Sequence, residues 1–304
     1  MLIINHIHYT KGGIMKTLLL FNLMMLLLFT NMLSAEPWKF TTEASLSFNQ
    51  SYYSDNWAGD ELGSITWAAN SISIAEKQLS VLFHNRTSLE LAYGQTHQQS
   101  IDDNGKKRWG RPEKSTDKID LESLFRMTFQ GYIDPFFSIR WQSQFIDSKF
   151  DDETYIINPN RFTESAGIMR SFITEENHSL STRLGAAFRQ KIDRNVFVED
   201  SRETQTTYDG GVEFIAEYMK RFLPQDILYK STLEVYQALF NSEEDDLETD
   251  DWKAVDVIWE HRITTKIWSV INAVFLFEMI YEKEQDSSIQ YRQTLGLGIF
   301  FQLY

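Results

Sequence analysis

The chain has 304 residues, no cysteine and a formal net charge of −14 at pH 7. Without cysteine there is no disulfide framework and no thiolate metal site, and so acidic a chain is a poor match for nucleic acid, which needs basic surface. Length alone allows one or two domains, but no Pro/Ser-rich linker or break in composition divides residues 36–304, so one domain is expected.

Met15-Lys16 leads into an apolar run from Leu18 to Leu33, interrupted only by Asn22, Thr30 and Asn31, and Leu33-Ser34-Ala35 supplies a small-residue exit. That order is the order of a secretory signal peptide. Residues 1–35 are expected to be removed, with Met15 as the natural start. The alternative is an uncleaved anchor, for which the run is short against the ~20 residues of a spanning helix. Removal takes away Lys11 and Lys16 and no acid, so the charge moves from −14 to −16 over 269 residues.

Twelve segments with a period of two follow, the period of strands with two unlike faces. The first sets Trp38, Phe40, Ala44, Leu46 and Phe48 against Lys39, Glu43, Ser45, Ser47 and Asn49. The second, Ile65–Ile74, alternates imperfectly. The third sets Leu79, Val81, Phe83, Leu89, Leu91 and Tyr93 against Ser80, His84, Arg86, Ser88 and Glu90. The fourth has Ile119, Leu121, Phe125 and Met127 against Lys118, Asp120, Glu122 and Arg126, and the fifth has Phe137, Ile139 and Trp141 against Ser138, Arg140 and Gln142. The sixth, Phe162–Phe172, is weak. The seventh sets Leu180, Leu184, Ala186 and Phe188 against Ser181, Arg183, Gly185 and Arg189, and the eighth sets Tyr208, Val212, Phe214, Ala216 and Tyr218 against Asp209, Gly211, Glu213 and Glu217. The ninth and tenth oppose Tyr229, Leu233, Val235, Val257, Trp259 and Ile263 to Lys230, Thr232, Glu234, Asp256, Glu260 and Arg262. The eleventh, Trp268–Tyr281, is apolar on both sides in its middle. The twelfth sets Tyr291, Leu295, Leu297, Ile299, Phe301 and Leu303 against Gln290, Arg292, Thr294, Gly296 and Gly298, and stops on Tyr304.

Short connections (Ala75–Gln78, Gly131–Asp134, Ile173–His178, Lys220–Ile227, Thr264–Ile267) alternate with longer ones (Ser51–Leu62, Thr96–Ser115, Ser148–Arg161, Lys191–Thr204, Asn241–Asp251, Glu282–Ser288). Bacterial outer-membrane barrels show this rhythm of short periplasmic turns and longer outer loops. Aromatics gather near segment ends as interfacial girdles: Trp38, Phe136, Phe137 and Trp268 at one end, Tyr93, Tyr208, Trp252 and Tyr281 at the other. The most apolar later stretch, Ile267–Tyr281, contains Glu278 and is too short for a spanning helix. The expected fold is therefore an all-β, transmembrane, antiparallel up-and-down β-barrel of about 12 strands over residues 36–304, in the cell outer membrane. Phe300, Phe301 and Tyr304 are expected to serve as its closure and assembly signal, with Gln302 between them. The rival is a soluble secreted barrel or sandwich, whose dry side is reversed.

Several stretches carry a family resemblance. Trp38–Gly63 opens a strand with an aromatic, runs through Ser-x-x-Phe-x-Gln-like spacing and reaches Asn56-Trp57-Ala58-Gly59. Asn85–Gly94 reads NRTSLELAYG, Lys114–Leu121 reads KSTDKIDL, and the closing strand contains Leu295-Gly296-Leu297-Gly298. Together they resemble a family of Gram-negative envelope proteins known as the domain of unknown function number 3078. Asp60 stands where that family has the second of two glycines. The resemblance covers residues 38–145 and the C-terminal strand. It implies an outer-membrane barrel and implies no activity.

Predicted lumen charges are the main functional clue. Arg86, Lys118, Arg126, Arg140, Arg183 and Arg189 fall in the third to seventh segments, and Asp209, Glu213, Glu217, Glu234, Asp256 and Glu260 in the eighth to tenth. Around a barrel these rows face each other. They either form a charge-selective constriction for small hydrophilic solutes or pair across the lumen and plug it, leaving a structural or assembly barrel that binds other envelope proteins.

A lipid-modifying enzyme is the third reading. Its histidines would be His84, His97, His178 or His261, and His84 could meet Ser80, Ser88 or Glu90. No Gly-x-Ser-x-Gly, His-Glu-x-x-His or phosphate-loop motif occurs, so no enzyme activity, cofactor or catalytic residue is expected. The loop Asn241–Asp251 holds seven acids in eleven residues, without the spacing or turn glycine of an EF-hand, and is read as a solvated face rather than a metal site. The basic loop Lys106–Arg111 faces anionic headgroups or folds over the mouth. Expected partners are outer-membrane lipids and lipopolysaccharide, the barrel-assembly machinery and a small hydrophilic solute, and no nucleic acid.

Overall fold

The structure, a computed structural model, describes residues 37–54, 61–103, 105–129, 131–150, 153–198, 201–243, 250–268, 271–284 and 286–303. The expected signal segment 1–35, the Asn56–Asp60 motif, residues 244–249 of the acidic loop and Tyr304 lie outside the described residues, as do the side chains of Phe300 and Phe301.

In chain order the strands are β1 (Lys39–Ser51), β2 (Ser64–Gln78), β3 (Phe83–Ile101), β4 (Lys107–Trp109), β5 (Glu113–Met127), β6 (Asp134–Ser143), β7 (Ile146–Phe150), β8 (Glu153–Ile156), β9 (Asn160–Glu175), β10 (His178–Val198), β11 (Ser201–Phe222), β12 (Ile227–Asn241), β13 (Val255–Trp268), β14 (Ile271–Tyr281) and β15 (Gln290–Leu303). The short strands β4, β7 and β8 belong to loops. The other twelve pair antiparallel, each with its chain neighbour, and β15 pairs back onto β1. The result is a closed antiparallel barrel of twelve strands, which leaves no exposed sheet edge for most of its circumference.

Register decides which face of each strand looks inward, because directly opposed residues share a face. The pairs Glu90↔Asp120, Glu122↔Arg140, Arg189↔Asp209 and Thr232↔Glu260 put the charged rows inside. The pairs Leu89↔Leu121, Phe125↔Phe137, Leu184↔Phe214 and Val235↔Val257 put the apolar rows outside. Large apolar side chains stand exposed around the wall, among them Phe40, Leu46, Phe137, Ile139, Leu184, Val212, Trp259 and Leu295. A soluble barrel is dry inside and wet outside; this wall has the opposite sense, the one a barrel in lipid requires.

Four expectations change. Ala75–Gln78, expected as a turn, is the end of β2, and Leu79–Leu82 turn the chain into β3. Lys191–Thr204 is not a long loop: β10 and β11 continue as a tall hairpin to Val198 and Ser201. The hairpin absorbs a register shift between Asp193 and Val196, held where the buried Asn158 amide donates to Asp193 at 2.9 Å and to Asp147 at 2.8 Å. Strand β13 runs on to Trp268, so Thr264–Ile267, expected as a turn, is strand. Two girdle residues are not on the wall. Phe136 turns into the lumen and packs with Leu124 and Met169, and Trp252 is buried in a short 3-10 helix, Asp251–Lys253.

Two facing glycines make room for Phe136. Gly167 and Gly185 are directly opposed across β9 and β10. A Cβ on Gly167 would stand 2.1 Å from the Leu184 carbonyl, and one on Gly185 would stand 3.1 Å from the Phe136 ring. The wall there has no space for a side chain of its own.

Candidate functional site in the barrel lumen

All twelve lumen charges expected from the sequence lie on the inner face by register. They do not stand as separate rows. At mid-height, Arg140 on β6 donates Nε and Nη2 to Asp120 on the adjacent strand, at 2.9 and 2.7 Å. Its Nη1 reaches both carboxylate oxygens of Glu234 on β12, at 3.0 Å each. Strands β6 and β12 are separated by β9, β10 and β11, so the contact is a chord across the lumen. Arg183 on β10 reaches Glu122 on β5 at 2.6 Å. Glu90 on β3 holds Lys118 at 2.8 Å and receives Arg262 from β13 at 3.4 Å. Lys230 on β12 reaches Glu43 on β1 at 3.5 Å, and Arg86 on β3 faces Glu217 on β11 at 3.8 Å.

Toward the long-loop end, Arg189 pairs with Asp256 at 3.3 Å and lies 3.2 Å over the Tyr236 ring. The Tyr236 hydroxyl donates to Asp209. Above the Arg140 bar Arg189, Tyr236 and Asp256, with Arg161, Glu213 and Glu282, line a recess. Glu213 is buried there, and its Oε1 has no hydrogen-bond partner among the described residues. At the short-turn end, Arg126 is engaged with Asp134 at 3.1 Å, below the bar rather than in it.

The family described as Protein of unknown function (DUF3078) matches residues 48–148. No curated protein matches the chain. Among solved structures, the chain is similar to the translocator domain of the autotransporter NalP from Neisseria meningitidis, at 10% identity over 96% of this chain and 99% of that one, with a TM-score of 0.38. It is also similar to an outer membrane channel from Pseudomonas putida F1, at 9% identity over 88% and 96% of the two chains, with a TM-score of 0.42. The beta domain of the Bordetella autotransporter BrkA matches at 10% identity over 88% and 99%, with a TM-score of 0.36. The DUF3078 match takes in β2, β3, β4, β5 and β6 and ends within β7. It therefore includes Arg86, Glu90, Lys118, Asp120, Glu122, Arg126 and Arg140, one side of the lumen's ion pairs, and none of their partners on β10 to β13.

The partners Glu43, Glu90, Asp120, Glu122, Lys230 and Arg262 were visible in the alternating polar faces, but nothing in the sequence singled them out. Of the histidines, His84 is paired with Glu76 at 2.9 Å. His178 packs against Tyr218 at a turn, and His97 against Trp109 in a loop. His261 faces outward, where its Nδ1 shares a 2.8 Å hydrogen bond with the Tyr229 hydroxyl. In the loops, Lys283 pairs with Asp251 and Lys253 with Asp250, each at 2.7 Å. The Asp251 carboxylate raises the Lys283 ammonium above its ordinary range. Lys107 donates to the carbonyls of Ser54 and Glu61, so the basic hairpin ties the end of β1 to the approach to β2. No cluster of three or more acids or histidines suited to a metal occurs among the described residues.

Proposed function

We propose that the protein is an outer-membrane β-barrel, delivered by a signal peptide, whose lumen is barred at rest by cross-lumen ion pairs. It is a closed barrel with no catalytic role, set among outer-membrane lipids and lipopolysaccharide after insertion by the barrel-assembly machinery. The observation that carries this reading is Arg140 bridging Asp120 and Glu234. A guanidinium held by carboxylates from both sides of the lumen occupies the path that a solute would take. The apolar outer wall supports the membrane placement.

A second reading keeps the barrel as a narrow, gated passage for small hydrophilic solutes. The charged recess above the bar favours it, as a vestibule in which a polar solute meets Arg161, Arg189 and Glu213. Liposome swelling separates the two. Vesicles carrying the folded mature chain should swell no faster in sugars or amino acids than protein-free vesicles. Rapid swelling would overturn the closed-barrel reading in favour of the passage.

A further inference from the structure

The barrel is incompletely zipped where it closes. Among the described residues, strands β1 and β15 pair over six positions, from Thr42↔Leu303 to Ser47↔Gly298, whereas β1 pairs with β2 along thirteen and β14 with β15 along ten. Continuing the β1/β15 register would set Phe48 opposite Leu297 and Ser51 opposite Thr294. Those pairings are not made, although all these residues are in strands. The unzipped stretch of four residues is ~13 Å long at ~3.3 Å per residue, and it lies in the half of the wall nearer the long loops. Here β15 is exposed on both faces: Tyr291 and Leu295 outward, Arg292 and Thr294 inward. Unpaired backbone facing hydrocarbon costs several kcal/mol per group, so such a gap persists only where water or polar surface reaches it from the lumen.

The lumen beside the gap differs from the rest. Elsewhere the inner face carries mostly paired charges, with the cluster of Phe136, Leu124 and Met169 as an apolar exception. Beside the gap the inner face of β14 carries Val274 and Leu276, by register with Gly296 and Thr294, across the seam from the polar Ser64 and Thr66 of β2; Ile72 and Ile74 of β2, by register with Glu43 and Thr41, follow lower down, beside the zipped half of the seam. Between them the inner face is small, with Ser45, Ser47, Gly296 and Gly298. At Gly296 a Cβ would meet nothing closer than the Ser47 Cβ at 3.6 Å, while at Gly167 and Gly211 it would strike backbone at 2.1 and 2.0 Å. There is room at the seam that the other wall glycines lack. Arg292, paired with Glu278 at 2.7 Å yet largely exposed, stands at the outer end of this trough.

We propose that the unzipped half of the β1/β15 seam is a lateral portal, through which the alkyl chain of an anionic amphiphile passes from the surrounding lipid into a trough that begins at Val274 and Leu276 beside the gap and runs down the inner side of the seam toward Ile72 and Ile74. The proposal rests on the membrane reading above. Arg292 meets the carboxylate or phosphate headgroup, and the small residues of β1 and β15 leave the passage clear. The cross-lumen bars do not obstruct this route, because it enters from the side.

The test uses the absence of cysteine. Asn49→Cys with Gly296→Cys would staple the gap, and the chain would be reconstituted in dioleoylphosphatidylcholine vesicles with a photoreactive diazirine palmitic acid. Labelled residues are read by mass spectrometry in the oxidised and reduced forms. The portal predicts labelling of Val274, Leu276 and Ile72 in the reduced form and at least tenfold less in the stapled form, with outward Leu295 and Leu297 labelled in both. Label confined to the outward residues in both forms would overturn the portal and leave the membrane reading intact. Equal labelling of the trough in both forms would overturn entry through the seam. Failure to label even the outward residues would overturn the membrane placement, and the portal with it.

Discussion

Arg140 and Glu234 meet across the lumen with one guanidinium nitrogen 3.0 Å from each carboxylate oxygen, although β9, β10 and β11 separate their strands on the wall. Neither group is fully exposed: their side chains retain 18% and 25% of their accessible surface. Removing one partner leaves the other desolvated and unpaired, which is costlier than the pair's net worth. Arg140→Ala should therefore destabilise the barrel by on the order of 3 kcal/mol. The double variant Arg140→Ala/Glu234→Ala should cost less than the sum of the two single changes. Urea unfolding in lipid vesicles measures both; strict additivity would mean that the chord carries no coupling.

The glycines divide by position. Gly167→Ala drives a methyl into the Leu184 carbonyl at 2.1 Å, where no flexible side chain can yield. Overpacking of this kind costs about 1–3 kcal/mol or more, and the folded, heat-modifiable band on cold electrophoresis should be largely lost. Gly296→Ala, with its nearest neighbour at 3.6 Å, should fold as well as the parent.

The outer mouth should respond to pH through Glu284. Partial burial, and then the nearby carboxylates of Asp256, Asp209 and Glu282, raise the Glu284 carboxyl above its ordinary range. A raised folded-state value means that the protonated form favours the fold. That contribution is present in acid, below the ordinary carboxylate range, and is lost as pH rises through the raised value. Glu284→Gln should thus stabilise the protein at neutral pH and make no difference in acid. The residue still meets solvent, which screens the effect, so the gain is about 0.5 kcal/mol or less. A gain that grew on acidification would contradict the assignment.

Topology predicts which positions are reachable from outside the cell. Arg108→Cys, in the β3–β5 loop, should react with a membrane-impermeant maleimide on intact cells, and Tyr132→Cys, in the β5–β6 turn, should react only after lysis. The opposite pattern would invert the barrel.

Much of this architecture is legible in the residues. Clean alternation, as in Leu89–Tyr93 or Leu184–Phe188, reports a wall between two unlike solvents, and it located each of the twelve strands. It failed where the inner face is not polar. Segments two and eleven looked irregular because Ile72, Ile74, Val274 and Leu276 face inward beside the closing seam. The top of the β10–β11 hairpin reads as a loop in the sequence because Asp193-Arg194-Asn195 breaks the period at a register shift. The lumen charges were legible as charges, but their partners were not. Pairing across a barrel depends on tilt and stagger, so Arg126 could not be seen to end on Asp134, nor Arg140 on Glu234.

The most direct test is a single-channel recording of the refolded mature chain in a planar bilayer, beside Arg140→Ala. A lumen barred by the Arg140 chord predicts silence from the folded parent and reproducible conductance steps from the variant. Steady conductance from the parent, unchanged in the variant, would show that the ion pairs do not close the barrel.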